Sequence, residues 1–478
     1  MHSRLPLLLQ LVSASLCFAL SGMVSAQQDA SPAEQTSSTE DGLPPIVYME
    51  APVLYAPGED LALPEPVAPV DPEADPEFPI REANIAEYLA TVTRIENQGG
   101  AWDPNLVETL ASIGELQQQQ GDYLAAIDTF DRALHVNRIN NGLESVSQVA
   151  LVQELIDSYL ALQDWESADV YQNYLFYIQQ KTFGPDDPRL IPALANLGNW
   201  HVRAFKRGIG EPLGLRLSSA ILLFNAAARL LGEHFGSNDA RSIPFQREIA
   251  NSAFLIATNP GLMTEIDRVR FRLEQEIFRD MLQEDSAAMP GGFGAGERAL
   301  REIIEIASAG GDVYALAEAH AHLGDWYLTA ERRRSAEEQY TMAWDLLAAP
   351  SEVAEGQEQE AQDQEEQEEI PPTPQQQQLF SRATIVPTFV EHSRWLSRSS
   401  LDGRALNSLN WGEVDLTFTV TRNGSARQIE ILGEEGEVIP GHVLRIIREL
   451  RSYRFRPQVV NGEMIDSRNN RARVRFWY

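Results

Sequence analysis

The run Gly412-Glu413-Val414-Asp415-Leu416-Thr417-Phe418-Thr419-Val420, followed by Asn423-Gly424, decides the fold of the last hundred residues. Val414, Leu416, Phe418 and Val420 share one parity, and Asp415, Thr417 and Thr419 share the other. A two-residue period of this kind marks a strand buried on one face. Asn-Gly is a strong hairpin signal because both positions tolerate positive φ, and Ile429 and Ile431 mark the returning strand. Val443, Leu444, Ile446, Ile447 and Leu450 then recur at helical spacing. Arg454-Phe455-Arg456-Pro457 follows, then Asn461-Gly462 and a closing strand-like run, Val474-Arg475-Phe476-Trp477-Tyr478. The predicted order is strand, tight turn, strand, helix, hairpin, strand.

Over residues 385–478, about a fifth of the chain, these motifs in this order resemble the C-terminal domain of TonB-family energy transducers. The resemblance implies a small antiparallel sheet backed by a helix, whose last strand can take on a receptor segment as an added strand. Where family members carry a Tyr-Pro pair that meets the receptor, this chain reads Ile385-Val386-Pro387-Thr388-Phe389-Val390, without that pair. In the predicted last strand Arg471, Arg473 and Arg475 alternate with Ala472, Val474 and Phe476. That alternation puts three cations on one face, as candidate partner-binding residues or as charges guarding an exposed edge.

Residues 81–350 read as helical repeats. Gly114, Ala126, Phe130 and Ala133 recur in kind at Gly324, Ala336, Tyr340 and Ala343, with identical intervals. The spacing resembles the 34-residue tetratricopeptide pattern. A Gly or Ala where two helices cross lets their backbones approach, and an aromatic four residues on fills the gap beside them. Leu155, Tyr159, Trp165 and Ala168 hold the same register, with Gln172 where an aromatic is expected. Leu197-Gly198 pairs with Ala220, Phe224 and Ala227 if about ten residues are inserted around Lys206–Gly214. Phe183-Gly184-Pro185-Asp186-Asp187-Pro188 and His234-Phe235-Gly236-Ser237-Asn238-Asp239 resemble linkers of longer, kinesin-light-chain-like repeats. A degenerate pair is expected near Glu265–Leu282 and Glu297–Ala307. Residues of the first helices that point away from the inter-helix core would form a concave face. Glu115, Gln118, Asn199, Glu318 and Asp325 are its candidate partner-binding residues, short polar and acidic groups suited to a peptide with basic or amide groups.

Outside these modules composition changes. Arg4, the apolar run Leu5–Met23 and Val24-Ser25-Ala26 form a secretory signal at 1–26, or an anchor if it stays uncleaved. Cys17, inside that signal, is the single cysteine, so a cleaved chain would hold neither disulfide nor thiolate metal site. Residues 27–80 carry many Pro and twelve acidic residues without a basic one, and read as a disordered tether. Ile46-Val47-Tyr48-Met49 and Val53-Leu54-Tyr55 are apolar islands in it, incidental sticky segments or segments that dock on a groove. Residues 351–378, Glu- and Gln-rich, read as an acidic spacer before the terminal domain at 379–478. The net charge of −32 speaks against nucleic acid, whose binding depends on neutralising phosphates.

No catalytic pattern emerges. His320 and His322 sit two apart, about 200° around a helix, and cannot share an ion from one helix. Gly291-Gly292-Phe293-Gly294-Ala295-Gly296 follows no strand-like run and lacks the Lys-Ser/Thr of a phosphate loop. The expected architecture is mainly α: a TPR-type helical solenoid followed by a small α+β TonB C-terminal-like domain. The expected role is non-enzymatic protein–protein interaction in the periplasm of a Gram-negative bacterium, without cofactor or metal. Expected partners are envelope proteins or peptides, a TonB-dependent outer-membrane receptor among them, with membrane contact only through an uncleaved N-terminal segment. The alternative is an inner-membrane-anchored energy transducer.

Overall fold

The computed structural model describes residues 48–49, 52–55, 75–210, 212–259, 261–264, 293–348, 372–390, 410–436 and 440–477. The signal at 1–26, most of the tether, the acidic run 351–370, the expected helix at 265–282 and Gly291-Gly292 lie outside the described residues.

A leading helix α1 (Phe78–Gly99) is followed by antiparallel pairs: α2 (Leu106–Gln119) with α3 (Tyr123–Asn141), α4 (Val149–Ala161) with α5 (Trp165–Phe183), and α6 (Ile191–Lys206) with α7 (Leu213–Phe235). Next comes α8 (Ile243–Thr258), and after it the short α9 (Gly261–Thr264). α10 (Phe293–Gly310) packs on α8, and α11 (Val313–Thr329) pairs with α12 (Arg333–Leu346). The expected partner of the helix at Glu297–Ala307, near Glu265–Leu282, lies outside the described residues.

The repeat is longer than the 34-residue pattern of the helix pairs, as linkers of the kinesin-light-chain-like kind imply. Gly100, Gly142 and Gly184, at φ of 88°, 88° and 84°, end α1, α3 and α5 at a constant interval of 42 residues. Each closes a helix because glycine enters this backbone region without steric cost. Ser145 and Asp187, each three residues after such a glycine, accept a backbone N–H and start one turn of 3₁₀ helix before the next pair. Asp239 does the same after Gly236. These linkers account for the added length. The ten-residue insertion expected in the third unit falls between α6 and α7, where Gly208 and Gly210 take positive φ.

Pairs are locked by glycine against an aromatic ring. A Cβ on Gly114 would stand 2.5 Å from Phe130, on Gly198 2.8 Å from Phe224, and on Gly324 2.6 Å from Tyr340. In the second unit Ile156, fully buried, stands at the glycine position and Gln172 at the aromatic one, so large and small trade places. α7, the one described helix long and apolar enough to cross a membrane, is mostly buried inside the array.

The C-terminal region forms an antiparallel sheet. β4 (Trp411–Val420) pairs with β5 (Ala426–Gly436) on one side and β9 (Ser467–Trp477) on the other. The order runs β1-β9-β4-β5, where β1 is Tyr48–Met49, and β2 (Val53–Tyr55) also pairs with β9. Helix α14 (Pro440–Ser452) sends Ile446 and Leu450 into a core with Val414, Leu416, Phe418, Val420, Phe455, Ala472, Val474 and Phe476. Leu444, counted into the same stripe from sequence, faces solvent. β3 (Thr384–Val386) pairs with β6 (Arg454–Arg456), and β7 (Gln458–Val460) with β8 (Glu463–Ile465). At Asn461 and Gly462 both φ are positive, 52° and 79°, as a two-residue hairpin turn requires. At 423–424 only Gly424 has positive φ.

Two readings need correction. Tyr48-Met49 and Val53-Leu54-Tyr55 are neither incidental segments of a disordered tether nor docked on a groove; they are strands paired with β9. The last residues of the acidic spacer also fold: Pro374–Phe380 is a short helix, α13, opened by a capping box of Thr373 with Gln376. Gln376 Nε2 donates to the Trp344 carbonyl at 2.9 Å and Thr373 Oγ1 to the Leu347 carbonyl at 3.0 Å, tying α13 to the end of α12.

Candidate partner-binding surfaces

The terminal sheet is docked on the last helix pair. Arg456, of the Arg454-Phe455-Arg456-Pro457 motif, reaches Asp325 on α11 with Nε–Oδ1 at 2.9 Å and Nη2–Oδ2 at 2.5 Å. Its side chain is 4% exposed and that of Asp325 0%. Tyr340 donates its hydroxyl to Asp325 Oδ1 at 2.8 Å, and Arg456 Nη1 donates to the Leu379 carbonyl at 3.1 Å. Burial works against the Arg456 charge, but attraction and hydrogen bonding from Asp325 prevail and hold its pKa above the usual arginine range. Burial first, and the Asp325 charge second, push the Tyr340 phenol well above its ordinary value.

Both hairpin turns also touch this pair. A Cβ on Gly424 would meet the Phe455 carbonyl at 2.6 Å and Leu328 Cδ2 at 2.7 Å, so glycine here permits close approach to α11. Thr341 on α12 donates its hydroxyl to the Gly462 carbonyl at 2.7 Å. Phe389 lies against Trp326 and His322, with ring centroids 6.3 Å and 6.0 Å away. The segment Ile385–Val390, which in the TonB family would meet a receptor, here packs on the chain's own repeat. A single apolar core spans α11, α12, Phe380, Val386, Val459 and Met464. The picture of two modules joined only by a flexible spacer is therefore corrected.

The expected array residues separate into three kinds. Asp325 is not on a surface at all, being buried beneath Arg456. Gln118 and Glu318 join neighbouring units: Gln118 Nε2 donates to the Glu154 carbonyl at 3.0 Å and to Ser158 Oγ at 2.8 Å, and Glu318 lies 3.5 Å from Arg247. Glu115 and Asn199 are exposed. Asp157, missed in the sequence reading, is exposed midway between them at the same 42-residue interval. Only the longer repeat length reveals this row. Glu154 lies beside it: burial raises its pKa, opposed by a hydrogen bond from Gln118, and the charges of Asp157 and Glu115 add to the rise. Asp157 is also raised, chiefly by burial. The first helices thus carry a coupled acidic group with Asn199 at the end of its row.

On the terminal sheet, Arg471, Arg473 and Arg475 share the half-exposed face of β9, while Ala472, Val474 and Phe476 are buried. Arg473 Nε donates to Asp415 Oδ1 at 2.8 Å and Arg475 Nε to Glu413 Oε1 at 2.6 Å, both carboxylates being on neighbouring β4. These two cations are balanced within the sheet rather than held out to a partner. The β9 edge expected to receive an added strand is already paired, by the chain's own β1 and β2.

His320 Nδ1 lies 2.8 Å from Gln339 Oε1, and His322 is buried. Desolvation, with Arg456 and Arg247 nearby, lowers the His322 pKa to about 3. His201, buried beside Arg216 and Asp169, is likewise lowered to about 3, mainly by desolvation. Among the described residues no group of three His, Cys, Asp or Glu is placed to hold a metal ion.

No protein-family model matches this chain, and no curated protein matches it. Solved structures similar to it include a putative kinesin light chain with nearly identical TPR-like repeats from Podosopora anserina, at 14% identity over 53% of this chain and 98% of that one, with a TM-score of 0.31. Another is BtubC from P. vanneervenii, at 13% identity over 63% of this chain and 100% of that one, with a TM-score of 0.30.

Proposed function

We propose that this chain is a non-enzymatic polypeptide-binding scaffold of the Gram-negative cell envelope, exported to the periplasm and serving TonB-type transport. The helical array holds a peptide with basic or amide groups along Glu115, Asp157 and Asn199, and the TonB-like terminal sheet engages an extended segment by strand addition. The observation that carries the reading is the outer edge of β9, which accepts an antiparallel strand at Tyr48–Met49 and again at Val53–Tyr55. Backbone pairing of that kind gives affinity, and alternate side chains give selectivity. Because Val386, Val459 and Met464 of the terminal region enter the core of the last helix pair, the two surfaces are held in a set relation instead of being linked only by spacer length.

Two experiments test this. N-terminal sequencing of protein from cell envelopes, beginning after Ala26, supports a soluble scaffold; an intact Leu5–Met23 segment replaces it with an anchored transducer. Affinity capture with the full chain and with Glu115→Lys/Asp157→Lys should differ by loss of a specific polypeptide. Identical recovery by both forms contradicts a binding role for the array face.

A further inference from the structure

The strand that covers β9 differs in kind from the strands that build the sheet. β4 pairs with β9 from Trp411↔Trp477 to Val420↔Ser467, nearly the length of both strands. The cover contributes two residues and then three, and between Met49↔Phe476 and Val53↔Arg473 its register slips by one residue. Pro52 lies in that gap and has no N–H to offer the ladder. The core beneath the sheet is assembled from β4, β5, α14, β6 and β9, and Leu54 is only half-buried at its margin. Arg382 Nη2, 3.3 Å from the Leu54 carbonyl, is a further tie. The cover reaches the sheet from the far side of the whole array in sequence, and Leu54 is its one described side chain against the sheet's core.

We infer that Tyr48–Tyr55 is a displaceable cover strand that occupies the acceptor edge of β9 until an extended polypeptide takes its place. This rests on the reading of β9 as a partner-binding edge and adds its regulation. The incoming segment runs antiparallel to β9 and carries an aliphatic residue where Leu54 stands opposite Ala472. The cover acts as an intramolecular competitor. At a local concentration on the order of 1 mM and an intrinsic affinity of ~10 μM for the edge, the cover weakens any competing peptide by roughly a hundredfold.

The test uses the full chain in a Cys17→Ser background and, as probe, a fluorescein-labelled peptide copying residues 46–57. Three forms are compared: the parent, Leu54→Asp to release the cover, and Tyr55→Cys/Arg471→Cys to lock it by a disulfide between Cα-paired positions. Expected are binding by Leu54→Asp roughly a hundredfold tighter than by the parent, none by the oxidised locked form, and recovery of the parent affinity on reduction. Equal binding by locked and released forms moves the acceptor elsewhere, to the outer edge of β5 for example, and overturns the β9 reading itself. No binding by the released form overturns the cover strand. Hydrogen exchange on the parent chain, read without any peptide, separates the two failures. Amides of residues 48–55 should exchange at least a hundredfold faster than those in the β4–β9 ladder. Exchange of both sets at one rate makes the cover a permanent strand and refutes the inference even if β9 binds peptides.

Discussion

Replacing Arg456 with Met should destabilise the protein more than any surface change. Arg456 and Asp325 are almost fully buried, and the substitution leaves the Asp325 carboxylate with the Tyr340 hydroxyl but no cation. Removing one partner of a buried pair costs about 3–5 kcal/mol, because the remaining charge stays desolvated. With an m-value of ~3 kcal/mol/M in urea, that lowers the unfolding midpoint by roughly 1–1.7 M. The triple variant Arg456→Met/Asp325→Leu/Tyr340→Phe removes charge and orphaned hydroxyl together, and should recover to within about 2 kcal/mol of the parent, since apolar packing often substitutes for a buried ion pair. Urea unfolding followed by circular dichroism gives the midpoints. Hydrogen exchange should place the loosening of Arg456→Met in α11, α12 and β6. A single variant within about 0.5 kcal/mol of the parent, or a triple variant worse than the single, would refute the argument that this pair fastens sheet to array.

Gly324→Ala drives a methyl group into Tyr340 and should cost about 1–3 kcal/mol by overpacking, read as a lower urea midpoint; an unchanged midpoint would contradict the crossing of α11 and α12. Phe418→Asp puts a carboxylate into the terminal core, and because that domain packs on the last pair, exchange protection should fall in α11 and α12 as well, while the pairs from α2 to α5 keep theirs. Protection unchanged in α11 and α12 would show that the sheet is not docked. Buried His201 and His322 stay neutral in the fold down to about pH 3 but accept protons when unfolded below about pH 6.5. Their stabilisation is therefore complete above pH 6.5 and is lost as pH falls, each by about 1.4 kcal/mol per unit. Between pH 6.5 and about 5, His322→Gln should lose stability with a shallower slope than the parent, and parallel slopes would contradict a neutral buried His322.

The features legible in the sequence are those that repeat locally. Val414, Leu416, Phe418 and Val420 declared their buried face by parity, and Gly114 with Phe130 or Gly324 with Tyr340 declared helix crossings by interval. The 42-residue period was harder to read because the ten-residue insertion before α7 and the exchange of sizes at Ile156 and Gln172 break it within three units. Asp325 looked like a surface residue because its partner, Arg456, lies in another module and no local period links them. The Asn423-Gly424 motif marks a turn, but a Cβ at Gly424 would also meet the Phe455 carbonyl and Leu328, neighbours only in three dimensions. The pairing of Leu54 with Ala472 carries no sequence mark beyond two apolar islands. The same blindness hid Asp157, whose place beside Glu115 and Asn199 depends on the true repeat length.

The proposed function depends above all on a first-helix face that grips polypeptide. A photo-crosslinking residue at position 199, compared in intact cell envelopes with one at Val170 on the exposed side of α5, measures this directly. The account predicts a polypeptide adduct from position 199 that maps to one segment of one partner and disappears in Glu115→Lys/Asp157→Lys. Adducts of equal yield from both positions, or from neither, would contradict it.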